Sequence, residues 1–250
     1  MFWGINSLAI KLVMFDLDGT LGIFNHKERL DVYLLKSYSK KLSEAFGKEP
    51  AYVAKVLLDV VADIKKNPPM KLTVADTMLN RISRALGVKR EELEIVTNEF
   101  YNNEFDELRK FYKPAIGARK VVSEIFDMGL KVAIATDPIV RRIGVMKRLM
   151  WANVHDFPYC FISSADDNCA AKPHPYFYLE VLRECNTDTS EAVMIGDRID
   201  NDIIPARKVG IKTIYVKRAK NESITNADYV INALEEVLKI INDVISTLNV

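Results

Sequence analysis

Cysteine and histidine are both scarce in this chain, with three of each in 250 residues. Cys160, Cys169 and Cys185 are odd in number and lack the close spacing of metal ligands, which argues against a disulfide framework and against a zinc site. The pattern predicts reduced thiols in a cytoplasmic protein. No run reaches the roughly 18 apolar residues that a membrane-spanning helix needs. The opening Met1-Phe2-Trp3-Gly4-Ile5-Asn6 has no basic flank and no apolar stretch of signal-peptide length. Membrane insertion and secretion are therefore disfavoured. An excess of one charge sign is also missing. Lys and Arg number 35 against 34 Asp and Glu, for a net charge of +1, and no basic stripe stands out that could track a nucleic-acid backbone. Nucleic acid is not expected as an obligate partner, and Phe2 and Trp3 carry no functional reading beyond folding back onto the core.

What remains is a chain with 49% hydrophobic residues, enough for one larger domain or two modest ones. Ile10 to Phe15 is a short apolar run closed by an acidic, Gly-containing turn, as suits a buried parallel strand. Similar runs recur at Leu130 to Ala135, Tyr159 to Ile162, Ala192 to Ile195 and Ile211 to Val216, with segments of helical length between most of them. That alternation predicts an α/β fold with a doubly wound parallel sheet. The region from Gly22 to Lys113 differs, because its patterns are helical and none reads as a strand. Val53, Val56, Leu57, Val60, Val61 and Ile64 recur at helical spacing, and Thr73 with Asp76 resembles a capping box for a helix ending near Gly87. Leu93, Val96 and Phe100 mark another helix, Pro68-Pro69 breaks the pattern, and Lys113 to Gly117 forms a return hinge. An inserted all-helical domain over 22–113 is expected, with 1–21 and 114–250 forming the sheet domain. Leu234, Val237, Leu238, Ile241 and Ile245 predict a final amphipathic packing helix.

Four segments carry possible chemistry. Asp16-Leu17-Asp18-Gly19-Thr20-Leu21 places two carboxylates and a glycine at the end of the first strand, where open parallel sheets bind ligands. Two acids this close want a cation or a shared proton, although an isolated Asp-x-Asp can equally be a solvated turn. Gly196-Asp197-Arg198-Ile199-Asp200-Asn201-Asp202 delivers acids to a second strand end. More acids gather there than one helix cap requires, and beside Asp16 their charge calls for a divalent cation such as magnesium. Thr136, in Ile134-Ala135-Thr136-Asp137-Pro138, could hold a phosphate oxygen through its hydroxyl and the amide that follows. Lys172, before Pro173, offers a fixed cation in a rigid turn.

In this order and at these strand ends, the four segments resemble the motifs of the haloacid dehalogenase superfamily. The similarity covers about 10–22 and 114–231. It implies a Rossmann-like sheet, a helical cap between the first and second motifs, and a magnesium cofactor. By this resemblance Asp16 is the nucleophile that forms an aspartyl-phosphate, and Asp18 is the acid/base. Thr136 and Lys172 grip the phosphoryl group. Magnesium is bound by Asp16, the carbonyl of Asp18 and Asp197, with Asp202 as ligand or support. The presence of Asp18 favours phosphatase or phosphomutase chemistry, and a cap inserted at this position implies a small substrate, so that a phosphatase acting on a small phosphorylated metabolite is expected. A phosphomutase and a weakly catalytic binding protein remain alternatives. Where many relatives carry Asn, this chain has Asp137 beside the phosphate site, and its carboxylate is expected to turn away and cap the turn at Pro138.

The other candidates read as structural. His26 is expected in an exposed hinge loop, and His155 and His174 suggest no ligand role. Phe100, Tyr101, Phe105, Phe111 and Tyr112 read as packing aromatics, and Arg141 and Arg142 as a solvated helix face.

Overall fold

A computed structural model describes residues 10–25, 29–218 and 226–246. The expectations for Phe2, Trp3 and His26 fall outside the described residues, as does the side chain of Ile245. Eight strands are present among the described residues: β1 (Leu12–Phe15), β2 (Gly22–Phe24), β3 (Tyr112–Pro114), β4 (Lys131–Ile134), β5 (Phe161–Ile162), β6 (Ala192–Gly196), β7 (Lys212–Val216) and β8 (Tyr229–Ile231). Six of them form one parallel sheet in the order β5-β4-β1-β6-β7-β8.

All four residues of β1 are buried because helices cover both faces of the sheet, and for that reason the sequence shows an unbroken apolar run rather than alternation. The strand's two-residue period still sorts its side chains. Val13 and Phe15 join the core that also holds Ile134, Ile195 and Ile214, while Leu12 and Met14 pack with Ala133, Met194 and Phe177 in a second core. The register fixes the site. Phe15 lies level with Ile134 of β4 and with Ile195 of β6, so the residues after all three strands emerge side by side at one edge. The chain leaves β1 toward β4 on one side and leaves β6 toward β7 on the other, which opens between β1 and β6 the crevice in which such sheets bind ligands.

Between β2 and β3 the chain is helical, with helices over Ser39–Phe46, Pro50–Lys66, Val74–Leu86 and Arg90–Asn102. The Thr73 hydroxyl accepts a hydrogen bond from the Asp76 amide at 3.0 Å, and Gly87 ends that helix in the left-handed conformation, at φ 67°. Phe100 is fully buried among Tyr38, Tyr101 and Phe105. Near the C-terminus, Val237 and Ile241 of Glu236–Ser246 are buried as the periodicity predicts. No helix among the described residues is long and apolar enough to cross a membrane.

Three expectations are corrected. The stretch from Gly22 to Lys113 was expected to be strandless, yet β2 and β3 pair antiparallel at its two ends, with Gly22 opposite Pro114 and Phe24 opposite Tyr112. Three-residue strands are too short to show a periodic pattern. The edge strand β8 also went unpredicted. Finally, Cys160 and Cys185 form a disulfide, with 5.4 Å between their Cα atoms, and are not reduced thiols. They lie 25 residues apart in sequence and are joined only because the sheet brings the approach to β5 against the end of helix Pro175–Glu184. Cys169 is free. Alkylation of the denatured protein without reductant should therefore label one thiol, Cys169, and after reduction all three cysteines. Three labels without reductant would contradict the pairing.

Candidate active site

One cavity of about 950 Å³ opens at the carboxyl edge of the sheet, and every residue singled out from the four segments lines it: Asp16, Asp18, Thr136, Asp137, Lys172, Asp197 and Asp202. Lys172 is buried and lies between two carboxylates, donating to Asp16 Oδ1 at 2.9 Å and to Asp202 Oδ1 at 2.6 Å. Burial alone would lower the pKa of such an ammonium, but the adjacent Asp16 and Asp202 prevail and hold it well above the usual lysine value. Asp202 is oriented from its other side by the Arg198 amide, which donates to Oδ2 at 3.0 Å. The Thr20 hydroxyl lies 3.5 Å from Asp16 Oδ2.

Asp197 completes the cluster. Oxygens of Asp16, Asp197 and Asp202 all lie within 4.8 Å of one another. One lysine cannot satisfy three carboxylates, and although Arg218 of the cavity wall acts on Asp197 at longer range, Asp197 Oδ1 is buried with no hydrogen-bond partner. Burial, then the charges of Asp16 and Asp202, push the Asp197 carboxyl up to about 8. Burial likewise raises Asp202, against the pull of Lys172. Hard oxygen donors with uncompensated negative charge fit a magnesium ion. The backbone makes room for this cluster. A Cβ on Gly19, whose φ is 100°, would lie 2.0 Å from Asp197 Oδ2, and one on Gly196 would lie 2.4 Å from Asp202 Oδ2.

Asp18 stands apart from the three. Its Oδ1 accepts from the Tyr112 hydroxyl at 3.1 Å, and its Oδ2 pairs with the guanidinium of Arg148. Arg148 is fully buried, and its second link is a 3.3 Å bond from Nε to the Gly144 carbonyl. A buried guanidinium is tolerable only with such a partner. Burial raises the Asp18 carboxyl above its ordinary value, opposed chiefly by Arg148. Tyr112 is itself wedged between the rings of Phe24 and Trp151, at 4.7 and 5.8 Å. Both oxygens of Asp18 are thereby held by fixed groups at the cavity wall.

The sequence reading missed Arg148, and it treated Tyr112 as packing alone. A signal for Arg148 was present: Gly144, Val145, Arg148 and Leu149 form the buried stripe of helix Arg142–Trp151, so this arginine falls where an apolar residue belongs. Two other assignments change. Asp137 does not cap the turn at Pro138. Its Oδ2 accepts from Lys65 at 2.5 Å inside the cavity wall. Arg141 is not solvated either, since it is half-buried and bonds to Asp166 at 2.6 Å, whereas Arg142 is exposed as expected and pairs with Asp167 at 2.9 Å on the surface. His174 serves as a helix cap, its Nδ1 accepting from the Tyr176 amide at 3.2 Å.

Residues 10–210 match the family of haloacid dehalogenase-like hydrolases. Among curated relatives, the chain is 26% identical to a glyceraldehyde 3-phosphate phosphatase of Pyrococcus furiosus, over 93% of each chain. It is 25% identical to a protein of the same name from Methanocaldococcus jannaschii, over 94% of this chain and 98% of the relative. Among solved structures it is similar to a HAD phosphatase from Thermococcus onnurineus, with a TM-score of 0.58, 21% identity, and 92% and 97% of the two chains covered.

The metal fit can be tested without turnover. Asp197 is raised in the folded protein, so between the ordinary carboxylate value and about 8 the folded state binds more protons than the unfolded. Without a cation, stability should fall as pH rises through that window. Magnesium should raise the melting temperature at pH 8 more than at pH 5, and Asp197→Asn should shrink the difference. Equal shifts at both pH values would contradict the fit.

Proposed function

The chain belongs to the haloacid dehalogenase-like hydrolases and is a phosphoric monoester hydrolase; we propose that it is a magnesium-dependent phosphatase working through an aspartyl-phosphate on Asp16. The observation that carries this reading is the buried cluster at the end of β1, where oxygens of Asp16, Asp197 and Asp202 converge within 4.8 Å and Lys172 bridges two of them.

In this mechanism Asp16 attacks phosphorus. Lys172 and the Thr136 hydroxyl hold the equatorial oxygens of the transferring group, positioning it and stabilising its charge. Asp18, aimed by Arg148 and Tyr112, protonates the leaving oxygen and then takes a proton from the water that cleaves the acyl-phosphate. Magnesium would be held by the Asp16 and Asp197 carboxylates and the Asp18 carbonyl, with Asp202 in support, and would neutralise the phosphoryl oxygens. That the carboxylate of Asp18 stands outside the metal cluster supports its proton-transfer role. The helical segment within 22–113 acts as a cap, and the sheet domain comprises 1–21 and 114–250. Four curated relatives carry the name glyceraldehyde 3-phosphate phosphatase, which makes a three-carbon sugar phosphate the first substrate to try. A phosphomutase would use the same residues, differing in whether water or a sugar hydroxyl receives the phosphoryl group.

The test is phosphate release from a panel of small phosphorylated metabolites. Magnesium-dependent release should appear with the wild-type protein, stop in chelator, and fall on the order of 10³-fold or more in Asp16→Asn, which keeps the shape but removes the nucleophile. Full activity in chelator would overturn the metal assignment, and normal turnover by Asp16→Asn would overturn the nucleophile.

A further inference from the structure

Asp137 poses an electrostatic problem. It follows Thr136 directly, lines the same cavity as Asp16 and Lys172, and adds a carboxylate where a phosphate dianion is to bind. A fixed negative charge a few ångströms from an anionic ligand, in a cavity only partly open to water, weakens binding severely unless it is neutralised.

The neutralising group comes from the helical segment. Lys65, at the end of helix Pro50–Lys66, donates to Asp137 Oδ2 at 2.5 Å across 72 residues of sequence. The side chains are 27% and 21% exposed, unlike the open i,i+4 pair of Lys55 and Asp59, at 71% and 65%. The other carboxylate oxygen, Asp137 Oδ1, is buried with no hydrogen-bond partner, so the Lys65 ammonium is the cation bonded directly to this side chain, with Arg198 of the cavity wall acting on its charge at longer range. The contact is anchored as well. Just beyond the helix, the amides of Met70, Val74 and Ala75 donate to the carbonyls of Cys169, Asn168 and Ala165 at 3.3, 2.8 and 2.7 Å, which ties the helical segment to the loop after β5. Ile64, next to Lys65, is fully buried and fixes the helix end from within.

We infer that Lys65 is a positioning residue supplied by the helical segment, which neutralises Asp137 and so sets the affinity of the cavity for phosphate. The inference rests on the phosphatase reading of the site. Lys65 acts through Asp137 and is a positioning residue, not a catalytic one. The pair also couples the two parts of the chain chemically: a phosphate site with full affinity requires the end of helix Pro50–Lys66 to be seated over the second motif.

A double-mutant cycle tests this. Lys65→Met, Asp137→Asn and the double variant would be compared with wild type for binding of inorganic phosphate, by calorimetry with magnesium present, and for KM and kcat on a phosphate ester that the wild type hydrolyses. Lys65→Met should weaken phosphate binding and raise KM by roughly tenfold, with kcat changed much less. In the Asp137→Asn background the same lysine substitution should cost less than about threefold, because the charge it compensated is gone. Lys65→Arg should retain most of the affinity, and Lys65→Gln replaces Lys65→Met if the latter does not fold. An equal loss in both backgrounds would mean that Lys65 touches the ligand itself, and no loss in the wild-type background would mean that the pair only packs; either overturns the inference. A wild-type protein that neither binds phosphate nor releases it from any ester would overturn the phosphatase reading, a different result from either.

Discussion

Lys172 lies 2.9 Å from Asp16 and 2.6 Å from Asp202 at a point where one oxygen of a third carboxylate, Asp197, is buried without a hydrogen-bond partner, and the surrounding structure depends on keeping so much negative charge together. Two parallel strands in register, β1 and β6, bring the acids to one edge. Gly19 and Gly196 leave them room that any side chain would fill. The same arrangement in water would disperse. Here the hydrophobic sheet fixes the carboxylates, and under the proposed function the unfavourable charge becomes binding energy for a cation and a phosphoryl group.

Charge compensation also explains the next ring of residues. Asp18 is matched by a fully buried arginine and Asp137 by a lysine from outside the sheet. These partners come from different places: Arg148 from a helix that packs on the sheet, Tyr112 from the short strand that closes the helical insertion, and Lys65 from the insertion itself. The insertion thus contributes groups that bond to the acids of the cavity, Lys65 to Asp137 and Tyr112 to Asp18.

The inner ring was legible in the sequence and much of the outer ring was not, for a physical reason. Asp16, Asp18, Thr136, Lys172 and Asp197 each follow an apolar strand or precede a helix, so local pattern and the topology of a parallel sheet suffice to bring them together. The central strands and the helices around Val53, Thr73 and Leu93 were legible for the same reason. Contacts between distant segments leave no local trace. The pairing of Lys65 with Asp137, the disulfide between Cys160 and Cys185 and the three-residue ladder of β2 with β3 each depend on how elements far apart in sequence pack. Arg148 is the instructive intermediate: its place on an apolar helical stripe was readable, but its partner was not.

The central claim is that Asp16 carries the phosphoryl group during turnover. The direct measurement is rapid acid quenching of the protein with a phosphate ester it hydrolyses, followed by borohydride reduction and peptide mass mapping. Reduction of an acyl-phosphate converts the aspartate to homoserine, and the account predicts that change at Asp16, with Asp18 and Asp197 unmodified. Trapping at another residue, or steady turnover with no modification at Asp16, would contradict it.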